Sequence, residues 1–176
     1  MENRKLLNVE LGRISPEEYR RSAPSGVEVI LDNIRSAHNV GSIFRSCDAF
    51  KIDKVWICGI SQAPPSAEIH KTALGAEESV PWEKCADAAE AVRRLKASDY
   101  TVLAVEQTAN SVSLGSFRRE TGKKYALVFG NEVDGVQQEV VDECDASLEI
   151  PQHGTKHSLN VSVCAGIVLW QVINSK

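Results

Sequence analysis

Four groups of residues have side chains able to do chemistry: Asn39 with Arg45, Glu132 behind Gly130 and Asn131, Ser158 with Asn160, and His153 with His157. A guanidinium, a carboxylate, a hydroxyl and two carboxamides suit proton handling and the binding of a polar or anionic ligand. The histidines have H-x3-H spacing, but no carboxylate or cysteine stands beside them as a third ligand, so no metal is expected. G-x-G-x-x-G, the Walker G-x-x-x-x-G-K-[ST] and the G-x-S-x-G elbow are all missing, which disfavours dinucleotide binding, NTP binding and elbow-type hydrolysis.

The elements that must position these groups come next. Val27–Leu31, apolar and β-branched, predicts a strand, and the polar stretch 32–41 follows it before a helical pattern over Ser42–Ala49. If that helix begins near Asn39, Asn39 and Arg45 are expected on neighbouring faces, within reach of one ligand. Arg45 taken alone also reads as a solvated helix residue. Tyr125–Phe129 predicts a strand running into 130–135, where Gly130 would let a ligand approach the backbone. Leu148 and Ile150 end a third such strand, and Pro151 stops it. A polar loop with Gly154 leads to Ser158, read as an N-cap, and then to an apolar run through Trp170. That run is too dense for a solvated helix, so burial against the sheet, a second subunit or both is expected. The loop before it reads either as a ligand site at a helix N-terminus, with Asn160 adding an amide, or as solvated residues ahead of a capped core helix.

The remaining chain keeps the same alternation. Ser15-Pro16-Glu17-Glu18 starts a short helix, with Ser15 as cap and Glu18 closing a capping box. Strands are expected at Lys54–Gly59, briefly around Val80 and at Tyr100–Val105, and helices at 66–72, 87–97 and 136–141. Alternating strands and helices predict an α/β fold with a mostly parallel sheet, and loops after the carboxyl ends of such strands are where ligands bind.

With 176 residues, 43% hydrophobic, one compact core is expected. The sequence shows no run of 18 or more uninterrupted apolar residues and no apolar stretch at its start, so no membrane span is expected and a cytoplasmic location is. Five scattered cysteines without C-x-x-C argue for reduced core thiols. A net charge of −4 excludes a globally basic nucleic-acid coat. RNA affinity would need the local clusters Arg20-Arg21, Arg93-Arg94-x-Lys96 and Arg118-Arg119 with Lys123-Lys124 to assemble on one face, although each singly reads as a solvated helix end or loop tip.

Taken together, Asn39-Val40-Gly41 with Arg45, Phe129-Gly130-Asn131-Glu132, and Ile150-Pro151 through Ser158-Leu159-Asn160-Val161-Ser162-Val163 resemble the three motifs of the SpoU (TrmH-type) RNA 2′-O-ribose methyltransferases of the SPOUT superfamily. The resemblance covers about residues 27–173. It implies a parallel sheet with helices on both faces and a C-terminal trefoil knot, S-adenosyl-L-methionine as methyl donor, tRNA or rRNA as substrate, and a homodimer whose active site draws on both subunits. It implies a methyltransferase domain over 27–176 and an extension over 1–26 bearing the short helix. By position, Arg45 matches the motif arginine of the catalytic step, supported by Asn39, and Glu132, Ser158 and Asn160 match the remaining active-site positions. Gly130, Ile150 and Leu159 match those whose backbone holds the adenosyl group. Val133 stands where a glycine is common and Gln152 where a methionine is common.

Two roles for Arg45 follow from the chemistry of methylating a ribose hydroxyl. It is either a transiently neutral base, as is proposed for the family, or a cation that binds a neighbouring phosphate and stabilises the developing alkoxide.

Overall fold

The computed structural model describes residues 3–175. Seven strands form one sheet: β1 (Val27–Asp32), β2 (Lys54–Cys58), β3 (Trp82–Cys85), β4 (Tyr100–Val105), β5 (Val112–Ser113), β6 (Lys124–Phe129) and β7 (Ala146–Glu149). Their order is β3-β2-β1-β6-β4-β7-β5, and every paired neighbour is parallel. Helices α1 (Pro16–Arg21), α2 (Ala37–Ala49), α3 (Ala67–Ala73), α4 (Ala76–Ser79), α5 (Ala88–Lys96), α6 (Gln138–Glu143) and α7 (Val161–Asn174) complete the fold.

The central strands are buried on both sides, as parallel sheets require, and their side chains alternate between two cores. Val27, Val29 and Leu31 of β1 join Val40, Phe44 and Leu169 in the core beneath α2 and α7. Ile30 joins Val92, Leu95 and Val140 in the core beneath α5 and α6. Helices therefore cover both faces, as expected. Helix α5 is capped by Asp87, whose carboxylate accepts from Glu90 N at 2.7 Å. Helix α1 carries the anticipated capping box: Glu18 N donates to Ser15 Oγ at 3.2 Å and Ser15 N to Glu18 Oε2 at 2.8 Å. Its Tyr19 is buried and donates to the Ile52 carbonyl at 2.8 Å, which fixes the helix to the core. All five cysteines are free, and Cys47, Cys58 and Cys85 are buried.

Several boundaries differ from the sequence reading for local reasons. The residues around Val80 are no strand: Gly75, at φ +93°, starts the turn of helix α4, and the edge strand begins only after Pro81. Helix α2 begins at Ala37 rather than near Ser42, because the Ser36 hydroxyl accepts from Asn39 N at 3.3 Å, which puts Asn39-Val40-Gly41 inside the helix. Helix α6 starts later than expected because Val136 N is held by Glu106 Oε2 at 3.0 Å. Strand β5, two residues long, lacked any pattern to announce it.

The final helix departs most. Its cap is Asn160, whose Oδ1 accepts from Ser162 N at 2.9 Å, and not Ser158. Within the single chain it is buried on one side only. Val161, Ala165, Val168, Leu169 and Val172 face the core, while Val163, Ile167 and Trp170 are 51%, 40% and 57% exposed.

Candidate active site

Parallel strands deliver their following loops to one end of the sheet, and β4, β6 and β7 lie side by side. Their loops and the start of α7 enclose a cavity of about 510 Å³. Val105, Phe129, Leu148, Ile150 and Leu159 provide apolar walls, and Glu106, Asn131, Glu132, Ser158 and Asn160 a polar rim. Its volume lies within the range of small-molecule sites, and apolar walls beside a broad polar rim suit a nucleoside-sized ligand.

Side chains from all three expected motifs meet beside this cavity. The Glu132 carboxylate accepts from the backbone N–H groups of Arg35 at 3.0 Å and Ser36 at 3.1 Å, and from Asn39 Nδ2 at 2.8 Å. Asn39 Oδ1 in turn accepts from Asn160 Nδ2 at 3.2 Å. Burial works against the Glu132 charge, but the Asn39 amide and the two backbone donors outweigh it and hold the carboxyl below its ordinary range. Both carboxylate oxygens are thus engaged, and Glu132 acts here as a clamp on the start of α2, where a negative charge also meets the positive end of the helix dipole.

Glycine 130 lines the cavity, yet the reason for its being glycine differs from the expectation. A Cβ there would lie 1.9 Å from Gly135 C and 2.0 Å from Val136 N, so it is the chain's own turn that needs the space. Asn131 and Gly135 exchange backbone hydrogen bonds at 3.0 and 3.1 Å, closing that turn, and Gly135 sits at φ +70°. Gly41 plays a similar part inside α2, where a Cβ would meet Thr72 Oγ1 at 2.2 Å and the Ile69 carbonyl at 2.3 Å of α3.

Arg45 is not brought to the cavity. Six residues along a helix rotate a side chain by about 240° from Asn39 and raise it by about 9 Å, so the two share neither face nor level. Arg45 is exposed and makes no hydrogen bond or ion pair among the described residues. It lies on the part of α2 that meets α7, next to Ser46, whose Oγ a Cβ at Gly166 would approach to 3.8 Å.

Two contributors escaped the sequence reading. Glu106 and Gln107, at the end of β4, line the cavity: Glu106 holds Val136 N, and Gln107 Nε2 donates to the His157 carbonyl at 2.7 Å. The only signal was their place in a polar stretch after a strand. Buried Asp32, at the end of β1, accepts from Gln137 N at 3.0 Å and from Asn33 Nδ2 at 2.8 Å, and burial raises its pKa. His153 and His157 join no metal-ligand cluster among the described residues.

Comparison with known proteins agrees with this geometry. The model of the SpoU rRNA Methylase family matches residues 26–170. The chain is 29% identical over 167 residues to the 23S rRNA (guanosine-2′-O-)-methyltransferase RlmB of Haemophilus ducreyi, an alignment covering 95% of this chain and 67% of that protein. It is 31% identical over 148 residues to the protein of the same name from Escherichia coli K12, covering 84% of this chain and 60% of the relative. Among solved structures, the A. aeolicus TrmH/SpoU tRNA modifying enzyme superposes with a TM-score of 0.79 at 26% identity, over 91% of this chain and 81% of that one. The AdoMet-bound rRNA methyltransferase from Sinorhizobium meliloti gives a TM-score of 0.76 at 28% identity, over 86% and 60%. A family match over most of the sequence, a shared parallel fold, and three motifs meeting at one cavity lead to one assignment: the chain belongs to the SpoU rRNA methylase family.

Proposed function

We propose that this protein is an S-adenosyl-L-methionine-dependent RNA 2′-O-ribose methyltransferase, acting in the cytoplasm on tRNA or rRNA as a homodimer. The observation that carries the proposal is the hydrogen-bonded chain Glu132–Asn39–Asn160, which ties all three motifs together at the rim of a cavity sized for the cofactor. The backbone around Gly130, Ile150 and Leu159 would hold the adenosyl group against the apolar walls. Bound there, the cofactor supplies an electrophilic methyl group.

The chain's own residues then have three tasks. Ser158 and Asn160, exposed at the rim, orient the ribose hydroxyl; the Glu132 clamp keeps the start of α2 and Asn39 in place beside them. Arg45 supplies positive charge at the reacting oxygen, where a guanidinium stabilises an alkoxide and grips an adjacent phosphate without giving up its own proton. Because Arg45 lies away from its own chain's cavity, it serves the cavity of a second copy. The exposed Val163, Ile167 and Trp170 support this, since together they leave an apolar stripe on α7 beside α2 for a second subunit to cover.

The trefoil knot belongs to the same proposal, supported by the insertion of β7 between β4 and β5 and by the return of α7 onto α2. Residues 1–26 are read as an extension, in keeping with a family match that begins at residue 26.

The test is transfer of a labelled methyl group to bulk RNA followed by alkaline hydrolysis. A 2′-O-methyl linkage has lost the hydroxyl that attacks its own phosphate, so a gap should appear in the ladder at the modified nucleotide. Methylation of a 2′-deoxy target would place the methyl on a base. No transfer to any RNA, with the cofactor still bound, would leave a binding module.

A further inference from the structure

The polar loop 151–159 carries Ser158 and forms one wall of the cavity, yet it has almost nothing to hold it. All of its residues are exposed, and its backbone forms neither helix nor strand. Among the described residues, a single hydrogen bond ties it to the rest of the chain: Gln107 Nε2 donates to the His157 carbonyl at 2.7 Å. The chain is fixed only beyond its two ends, by β7 on one side and by the Asn160 cap of α7 on the other. With so few internal contacts, the placement of the loop depends on that one tether.

The sheet explains why the tether comes from residue 107. Strand β4 lies between β6 and β7, so the residues that follow it emerge between the turn after β6 and the loop after β7. Glu106 takes the first of these: its Oε2 accepts from Val136 N, just past the turn, at 3.0 Å. Its Oε1 accepts from Gln107 N at 2.8 Å, which fixes the base of the neighbouring side chain. Gln107 then takes the second, reaching His157 on the opposite wall. Two consecutive side chains thus hold the two walls of one cavity.

We infer that Gln107 is a positioning residue for methyl transfer, its amide latching the loop before α7 and so setting one wall of the cavity and the placement of Ser158. This rests on the reading of the cavity as the cofactor site. A loop held in place before the ligand arrives loses less freedom on binding, so the latch acts on affinity. One exposed hydrogen bond contributes little to the stability of the whole chain, so its loss should be visible in binding and not in folding.

The test is calorimetry of the full chain with S-adenosylhomocysteine, beside thermal melts without ligand. Gln107→Ala should weaken binding about three- to tenfold, as expected for one hydrogen bond, with Tm unchanged. Gln107→Glu keeps the size but turns an acceptor toward the carbonyl, so it should bind no better than Gln107→Ala. Gln107→Lys restores a donor and should recover most of the lost affinity. A packing role would instead rank glutamate nearest to the wild type. In steady-state methylation by Gln107→Ala, KM for the methyl donor should rise by the same factor as Kd, with a smaller fall in kcat. Equal affinity across the set, or wild-type affinity in Gln107→Glu, would overturn the latch. Absence of binding by the wild-type chain would instead overturn the cofactor reading, and the latch is then judged by tryptic cleavage after Lys156. Cleavage should be faster in Gln107→Ala and Gln107→Glu than in the wild type and Gln107→Lys, and equal rates would overturn it.

Discussion

At the scale of single residues, the site divides into groups that hold position and one group left over. Glu132, Asn39 and Asn160 satisfy one another, whereas Arg45 faces outward with no partner among the described residues. Replacing Arg45 by alanine should therefore cost no stability but lower methyl transfer by about 10²–10⁴-fold, with S-adenosylhomocysteine affinity unchanged by calorimetry. Substantial activity in Arg45→Lys would favour simple electrostatics over the guanidinium's planar fork. Glu132 gives the opposite pattern. The folded state holds its carboxyl below the ordinary value of 4.5, so the stabilisation it contributes is present above that value and lost as pH falls through the lowered one. Hydrogen-exchange protection of the Arg35 and Ser36 amides should accordingly drop in acid, and Glu132→Gln, one acceptor short, should show the same loss at neutral pH, at about 1–3 kcal/mol. Asp32, whose pKa burial raises, works with the opposite sign, which is why the measurement must be local rather than global. That Asn39, Glu132 and Asn160 of three separate motifs would come together was legible in the sequence from motif order. The clamp was not, since nothing in spacing says that a carboxylate at 132 will meet backbone amides at 35 and 36.

At the scale of elements, the central strands were legible, unlike the edge strands β3 and β5, because buried parallel strands are short, continuous apolar runs. Tyr100–Val105 fell where expected to the residue. The start of helix α7 was missed because more than one residue there can cap a helix. Ser158 and Asn160 are both good caps on propensity, and tertiary contacts decided between them, Asn160 being also tied to Asn39. The turn at 130–135 is where element geometry is least tolerant. In Gly130→Val the side chain would overlap the Gly135 and Val136 backbone, so the turn should open and cofactor binding and about 2–4 kcal/mol of stability should be lost together. Gly154→Ala, whose Cβ meets nothing within 4 Å, is the control and should leave both unchanged in the same thermal and calorimetric titrations.

At the scale of the whole molecule, one chain leaves Arg45 outside the cavity and a helix with an uncovered apolar stripe, and the proposed second copy would resolve both. Light scattering at low micromolar concentration should give twice the 19.3 kDa chain mass, and Trp170→Glu should halve it. Mixing the separately inactive Arg45→Ala and Asn160→Ala proteins should restore about a quarter of wild-type activity, because half the dimers are mixed and each of these contains one intact site. No recovery, with mixed dimers present, would place arginine and cavity in the same subunit. The strand order carries a kinetic consequence as well. β1 lies between β2 and β6, and its pairing with β6 sets Val27 opposite Tyr125, partners separated by roughly a hundred residues of chain. The centre of the sheet therefore cannot close until Phe129 has been synthesised. Until then the strongly apolar β1 waits with one edge unpaired. Refolding should be slow for a chain of this size, and a nascent chain halted before β6 should be the form that chaperones hold and proteases find.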